Sequence, residues 1–490
     1  MELYDIVILG GGPGGYIAAI RAAQLGKRTA LVEKEKLGGT CLHKGCIPSK
    51  TLLRSAELFE TMKRSGSFGI RAEGLSLDFG GVQSRKDSIV EQLEKGVQFL
   101  MKKNAIDVYS GTGHIVDGTG REAAEAGCNG VINVTRGTIQ GNDGVDIAGD
   151  TGEEAIRIGY RDLIVATGSR PRRIAGLPSH ERVMSSDEAL AMTDVPASIV
   201  IVGGGVIGVE WASMLSDFGA QVTIVEAAER IVPTEDADIS RELSRLFAKR
   251  KIKVLTGAKL LAESVAAGEA GVTLEIERGG KVDRLAAERM LVSVGRAANV
   301  EGFGLERTAA KVERGVIAVD PASMRTADPH VYAIGDVIGG LQLAHVASHE
   351  GVAAVEAICG LETHAPDPAS VPKCVYSRPE LASVGLTEQA AVDSGREVKV
   401  GKFSFKAIGK ALVFGESDGF VKVVADAANG AVLGVHMIGP HVTDFIGEAA
   451  LAQLLEATSM QVGRMIHPHP TLSEIIGEAM LGADKLALGM

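Results

Sequence analysis

The 490-residue chain is 45% hydrophobic, with 62 glycines, five cysteines and a formal net charge of −11. Its apolar content excludes global disorder, and its length predicts three or four domains at the usual ~100–200 residues each. The acidic balance leaves no basic field to collect phosphates, which argues against nucleic-acid or anionic-membrane partners. An odd cysteine count is not a secreted disulfide framework.

The first residues lead straight into Ile6-Val7-Ile8-Leu9 with no basic leader, and no run of ~18 uncharged apolar residues follows. The reducing cytoplasm is the expected compartment, where a persisting disulfide is more often catalytic than structural. Residues 5–33 read as strand, glycine turn, helix and strand. The short apolar run suits a parallel strand buried on both faces, and Gly10-x-Gly12-x-x-Gly15 follows at once. A helix runs from Tyr16 to Leu25, Gly26 caps it, and the strand Thr29–Val32 ends at Glu33. Glycines in this frame permit a tight turn and close approach to a pyrophosphate on the helix N-terminus. Glu33 is expected to accept hydrogen bonds from an adenosine ribose.

Next comes Gly38-Gly39-Thr40-Cys41-Leu42-His43-Lys44-Gly45-Cys46-Ile47-Pro48-Ser49-Lys50. Two cysteines this close can join in a small ring once the backbone brings the sulfurs together. A short ring gains little from constraining the unfolded chain, so a switchable dithiol is favoured over a staple. Zinc is disfavoured because no second Cys/His pair follows at ligand spacing, and no metal is expected. Cys128, Cys359 and Cys374 have no partner at sensible spacing and read as ordinary thiols.

Ser55 to Leu100 reads as helical. Residues 106–160 read as a β-meander with turns at Asn129-Gly130, Asn142-Asp143-Gly144 and Thr151-Gly152. A buried strand then ends in Ala166-Thr167-Gly168-Ser169-Arg170-Pro171. The fingerprint recurs as Ile199–Val202, Gly203-x-Gly205-x-x-Gly208, a helix from Val209 to about Phe218, and Val222–Val225 ending at Glu226. The interval from first glycine to acid is 23 residues in both copies, which predicts two dinucleotide sites. A 2′-phosphate beside Glu226 would meet like-charge repulsion of a few kcal/mol at ~4 Å and an effective dielectric of about 20, so NAD is favoured over NADP.

Arg241–Arg250 reads as a helix, and 252–294 as strand-rich, ending in Ser293-Val294-Gly295-Arg296. A further strand ends in Gly335-Asp336. A carboxylate there lies in the crevice where ligands bind, and it could also cap the helix expected near 343–359. From about residue 370, five strand candidates (371–376, 382–386, 398–405, 420–425 and 431–438) and helices at 445–458 and from about Leu472 read as an α+β domain. His469 is a base candidate held between Pro468 and Pro470, while Thr471–Glu474 has the pattern of a capping box.

Together these motifs resemble, over essentially the whole length, the pyridine nucleotide–disulfide oxidoreductases of the glutathione reductase type. Within that family the chain is most similar to members that oxidise protein-bound dihydrolipoamide with NAD+ as the flavoprotein of a 2-oxoacid dehydrogenase complex. The resemblance implies an α/β fold with two Rossmann-like domains, for FAD and NAD, and a C-terminal α+β dimerisation domain. The expected boundaries are 1–165 and 295–365 for the two parts of the FAD-binding region, 166–294 for the NAD-binding domain and 366–490 for the dimerisation domain. It assigns Gly10, Gly12, Gly15, Glu33, Lys50, Thr167, Gly168, Asp336 and Ala344 to FAD, and Gly203, Gly205, Gly208, Glu226 and Gly295 to NAD.

By the same resemblance, Cys41 is the interchange thiol and Cys46 the thiol against the flavin. Lys50 pairs with Glu210 near the flavin, and Glu474 orients His469, which serves the dithiol of the other subunit in a homodimer. His467 reads as structural. The implied partner is a lipoyl-bearing acyltransferase core. His43-Lys44 replaces the Asn-Val more usual inside the family's box. Another NAD(P)H-dependent disulfide reductase is the alternative, but arginines near the second ribose and a C-terminal cysteine pair are both missing. A flavoprotein kept mainly as a docking subunit is the other, and the intact Cys41, Cys46, His469 and Glu474 argue against it.

Overall fold

The computed structural model describes residues 1–118, 121–135, 139–140, 146–147 and 155–489. It divides into two compact units, the first built from 1–49, 84–171 and 296–366, the second from 50–83, 172–295 and 367–490.

The first unit is organised on a seven-stranded sheet. Glu2–Leu9 sits centrally, parallel to Thr29–Glu33 on one side and to Ile156–Val165 on the other. Ile6, Val7 and Ile8 are fully buried, as a strand covered on both faces requires. The helix Pro13–Gln24 buries only small residues, Gly14, Gly15, Ala18, Ala19 and Ala22. That stripe lets the helix Ala344–Ile358 approach so closely that a Cβ on Gly351 would sit 2.7 Å from the Gly14 carbonyl oxygen.

The second unit contains a five-stranded parallel sheet centred on Ser198–Val202, an antiparallel three-stranded sheet over 258–287, and a five-stranded antiparallel sheet. The last has Val432–Gly439 at its centre, flanked by Glu380–Gly385 and Phe420–Asp426. One core runs through the unit, joining Leu52 and Ala56 to Trp211, Leu215, Phe247, Phe420 and Ile438. The architecture is thus mixed α/β, with two Rossmann-like folds and a C-terminal α+β region.

Three local expectations change. The helical stretch expected over 55–100 is two helices, Cys46–Lys63 and Phe79–Lys103, with a short 3-10 turn at Ser65–Phe68. Gly69 and Gly74 in between adopt φ of +74° and +67°, conformations that end a helix and suit glycine. In the meander region, Thr112–Asp117, Gly130–Thr135 and Ile156–Val165 are antiparallel neighbours, but Asp107–Ser110 joins the parallel edge beside Thr29–Glu33. Asn129-Gly130 does not turn a hairpin, because the helix Arg121–Glu125 precedes it and a strand begins at Gly130. Asn142-Asp143-Gly144 and Thr151-Gly152 lie outside the described residues. The helix expected at Arg241 starts four residues earlier, at Ala237, because the Asp236 side chain caps it.

Candidate active site

In the first unit, Gly10 has φ +107°, and a Cβ there would lie 2.2 Å from the Ala166 carbonyl oxygen. A Cβ on Gly15 would meet the Gly10 carbonyl at 1.9 Å, so both positions demand glycine. Gly12 is different. It caps the helix Pro13–Gln24 with no side-chain hydrogen bond, and nothing lies within 4 Å of where its Cβ would be. The helix start is therefore open to an anion, which fits a dinucleotide pyrophosphate. The Glu33 carboxylate accepts from the backbone N–H of Gly11 (2.6 Å) and Glu35 (2.7 Å), fixing its own turn. Lone pairs remain for a ribose.

Thr167 donates its hydroxyl to the Asn299 carbonyl (2.8 Å), whose own N–H donates to the Gly168 carbonyl (2.9 Å). Asp336 does not cap the helix Ala344–Ile358. It sits in the 3-10 turn Gly335–Ile338, and the N-cap is Leu343, because Gly339 and Gly340, at φ +78° and +63°, turn the chain first. Ala344 opens that helix, whose N-cap makes no side-chain bond. Asp336 instead accepts from the Ser169 hydroxyl, and Arg296 donates to Ser169 Oγ at 2.7 Å and stands 3.8 Å from Asp336. Glu350 accepts from the Gly335 N–H at 2.7 Å, and burial pushes its carboxyl up. Ser169, Arg296 and Glu350 were not singled out in the sequence; no local spacing connects them to Asp336.

The cysteine box folds back onto this cradle. Gly38 N–H donates to the Gly11 carbonyl at 2.8 Å. Gly39, at φ +55°, would place a Cβ 2.7 Å from Gly12 Cα, so the paired glycines are what allow the box to touch the fingerprint turn. Cys41 lies in the short helix Gly39–His43, and Cys46 is the first residue of Cys46–Lys63. Both thiols are half-buried. A sulfur at the start of an 18-residue helix sits at the positive end of its dipole, which favours thiolate. Burial raises the Tyr16 phenol, and the charge of Cys41 adds to it. His43 bonds the Leu37 carbonyl (2.8 Å) and Lys44 pairs with Glu35 (2.6 Å), so both unusual residues tie down their own loop.

In the second unit, Lys50 donates to both oxygens of Glu210, at 2.9 and 3.1 Å. Glu210 is buried and also accepts from the Tyr376 N–H at 2.9 Å, while the Tyr376 ring centroid lies 4.8 Å from Lys50 Nζ. Tyr376 is a contact that only tertiary folding supplies. The second fingerprint repeats the first: Gly203 at φ +111°, Gly208 packed on the Gly203 carbonyl, Gly205 open, and Glu226 accepting from Gly204 N–H at 2.5 Å. Gly295, at φ +100°, has open space beside it.

His469 Nδ1 lies 2.8 Å from Glu474 Oε1, and the ring is 77% exposed. Glu474 Oε2 accepts from the Thr471 N–H at 2.8 Å. The expected capping box does not form: the helix Glu474–Gly482 takes Ser473 as its N-cap with no side-chain bond, and the Thr471 hydroxyl donates to the Pro468 carbonyl, so only the Thr471 N–H bond to Glu474 remains of it. Burial opposes the charge on Glu474, but the bonds from His469 and Thr471 hold its carboxyl below the usual range. His467 is tied to Glu448 at 2.8 Å and is nearly buried, a structural placement. The peptide His469–Pro470 is cis. No cluster of three metal-ligating side chains occurs among the described residues, and none of their helices is long and apolar enough to cross a membrane.

Residues 4–351 match the family model described as pyridine nucleotide-disulphide oxidoreductase, and residues 371–480 match the dimerisation domain of that family. The chain belongs to this family. As a pyridine nucleotide-disulphide oxidoreductase it uses FAD and NAD(H) and forms a homodimer. It is 56% identical over 486 residues to the dihydrolipoyl dehydrogenase of Bacillus subtilis, covering 99% of each chain. It is 41% identical to that of Zymomonas mobilis, again covering 99% of each. Among solved structures it is similar to LpdA of Mycobacterium tuberculosis, with a TM-score of 0.85, 26% identity and coverage of 98% and 99%. The HOCl-induced flavoprotein disulfide reductase RclA of Escherichia coli superposes with a TM-score of 0.81, 25% identity and coverage of 97% and 99%.

Proposed function

We propose that this oxidoreductase is a dihydrolipoyl dehydrogenase, oxidising protein-bound dihydrolipoamide to lipoamide and reducing NAD+. The observation that carries the reading is a thiol pair built directly on the flavin fingerprint, Gly38 to Gly11, in a chain that also presents an exposed His469 oriented by Glu474. With Nδ1 committed to Glu474, Nε2 is left to take a thiol proton.

His469 of one protomer deprotonates dihydrolipoamide, and the thiolate attacks Cys41 of its partner, breaking the Cys41–Cys46 bond and releasing Cys46 as thiolate. The second lipoyl thiol then attacks the lipoyl sulfur of the mixed disulfide, closing the lipoamide ring and breaking the bond to Cys41, which leaves as a thiol by taking up the proton that the attacking thiol gives up. The dithiol has gained the electron pair that the lipoyl group lost. Bound FAD supplies the relay of that pair from the dithiol to NAD+ as hydride. Gly10, Gly12, Gly15, Glu33, Thr167, Gly168, Asp336 and Ala344 would hold FAD, and Lys50, itself held by Glu210, would supply a positive charge to it. Gly203, Gly205, Gly208, Glu226 and Gly295 hold NAD.

We assign residues 1–165 and 295–365 to FAD binding, 166–294 to NAD binding and 366–490 to dimerisation. The lipoyl group is carried by the acyltransferase core of a 2-oxoacid dehydrogenase complex in the cytoplasm. The assay is NAD+ reduction by free dihydrolipoamide. Turnover is expected with NAD+ and not with NADP+. A purified flavoprotein that binds an acyltransferase core yet shows no turnover overturns the enzymatic reading.

A further inference from the structure

The second fingerprint is closed by a strap, residues 226–236, whose far end is anchored in the C-terminal sheet. At its near end the Glu226 carboxylate accepts from Gly204 N–H (2.5 Å) and Ala228 N–H (2.7 Å). The strap then returns to the turn. Val232 N–H donates to the Gly204 carbonyl at 2.7 Å, and Ile231 lies against Gly204, 2.7 Å from where a Cβ would be. Val232 holds φ +40°, a conformation a β-branched residue does not adopt unless its surroundings impose it. Its carbonyl accepts from Glu235 N–H (2.9 Å) and from the Ser240 hydroxyl (3.2 Å), and Asp236 caps the following helix, Ala237–Lys249.

At this point Lys422 enters, from the strand Phe420–Asp426. Lys422 and Asp236 are 3% and 1% exposed, among the most buried charges in the chain. Its ammonium lies 2.8 Å from Asp236, 3.2 Å from Asp238 and 2.6 Å from Glu388. Three carboxylates thus meet the three donors of the ammonium group. Asp236 Oδ2 also accepts from the Glu388 N–H at 3.1 Å, and Lys373 stands 3.5 Å from the buried Glu235. Burial opposes the charge on Lys422, yet its carboxylate partners raise its pKa above the ordinary lysine value. A cation of this kind, lost alone, leaves carboxylates buried without a partner.

We propose that Lys422 is a positioning residue for the nicotinamide nucleotide: by clamping Asp236 it holds the strap, and through Val232 the Gly204 peptide, in the shape that receives the dinucleotide. The dimerisation sheet therefore sets the affinity of the NAD site without touching the nucleotide. This rests on the NAD assignment made above, and the test separates the two.

In the FAD-loaded dimer, Lys422→Met is expected to raise the Kd for NAD+ about tenfold, the scale of a small misplacement of binding groups, with kcat at saturating NAD+ falling less than about threefold. Reduction of the enzyme by dihydrolipoamide without NAD+, followed by flavin absorbance, is expected to keep its wild-type rate. An unchanged Kd, or an equal fall in both half-reactions, overturns the proposal, since a purely structural role produces one or the other. Should Lys422→Met fail to fold, Asp236→Asn keeps the cap and removes the clamped charge. It is expected to give the same split at about threefold, the part of a coupling carried by one hydrogen-bonded charge, and its absence again overturns the proposal. Wild-type enzyme that binds NADP+ but not NAD+ sinks the nucleotide assignment, and the Lys422→Met comparison is then read with NADP+.

Discussion

The two fingerprint cradles are nearly the same object. Gly10 and Gly203 adopt φ of +107° and +111°, and their N–H groups donate to the Val32 and Val225 carbonyls at 2.8 and 2.9 Å. Glu33 and Glu226 accept from the N–H of the glycine that follows each of these, Gly11 and Gly204, at 2.6 and 2.5 Å. The difference lies in what comes back to that glycine's carbonyl. In the first cradle it is Gly38, which opens the cysteine box (2.8 Å); in the second it is Val232, in a strap with no cysteine (2.7 Å). One backbone unit is thus closed by a segment carrying two cysteines in the first copy and by a segment carrying none in the second.

The largest effect should come from removing the chemistry that only the first cradle carries. Cys46→Ser is expected to lower dihydrolipoamide-dependent NAD+ reduction by at least ~10³-fold, the scale of losing a residue that acts as a unit with its partner. Retained turnover breaks the contrast between the two cradles. His469→Ala should cost about 10²-fold or more in kcat/KM, within the usual range for a general base. Activity within tenfold of wild type removes the base assignment. Glu474→Gln, which leaves the ring but weakens its tether, should cost less than His469→Ala in the same assay.

A pair of alanines tests whether the cradles bind different nucleotides. Gly12 and Gly205 each face open space, so neither protein strand resists a methyl group and the cost falls on the ligand. Gly12→Ala should lower the FAD content of purified enzyme, whereas Gly205→Ala should weaken NAD+ binding by about tenfold with FAD retained, as for a displaced binding group. The reverse pattern exchanges the two assignments.

The smallest effect is one of stability. His436 is fully buried beside Asp236, Glu235 and Lys373, and it bonds the Leu386 carbonyl through Nε2. Burial depresses its pKa, so the unfolded chain takes up the proton first. Its contribution is complete above the unfolded value of about 6.5 and is lost as pH falls below that, with a slope of at most ~1.4 kcal/mol per pH unit. Urea midpoints at pH 7 and 5.5 should differ less in His436→Gln than in wild type; an identical difference removes the assignment.

What could be read without coordinates was whatever local spacing enforces. Both dinucleotide turns were legible because a tight turn between strand and helix requires glycine at fixed places and brings an acid 23 residues on to the same strand end. The cysteine pair was legible for the same reason, and Glu474 was already present in two competing patterns. The break after Lys63 was missed although Gly66, Gly69 and Gly74 marked it, because charge and amphipathic spacing continue across it.

Composition, motif spacing and the order of elements were thus fixed by the chain itself, since each depends on neighbours a few residues away. Folding alone decided that Arg296 and Ser169 hold Asp336, that Tyr376 backs the Lys50–Glu210 pair, and that Lys422 reaches Asp236. These partners are joined across 40 residues for Arg296 with Asp336 and more than 100 for the others, by charges and hydrogen bonds. Such groups satisfy one another only where packing has already excluded water, and no periodicity in the sequence records that.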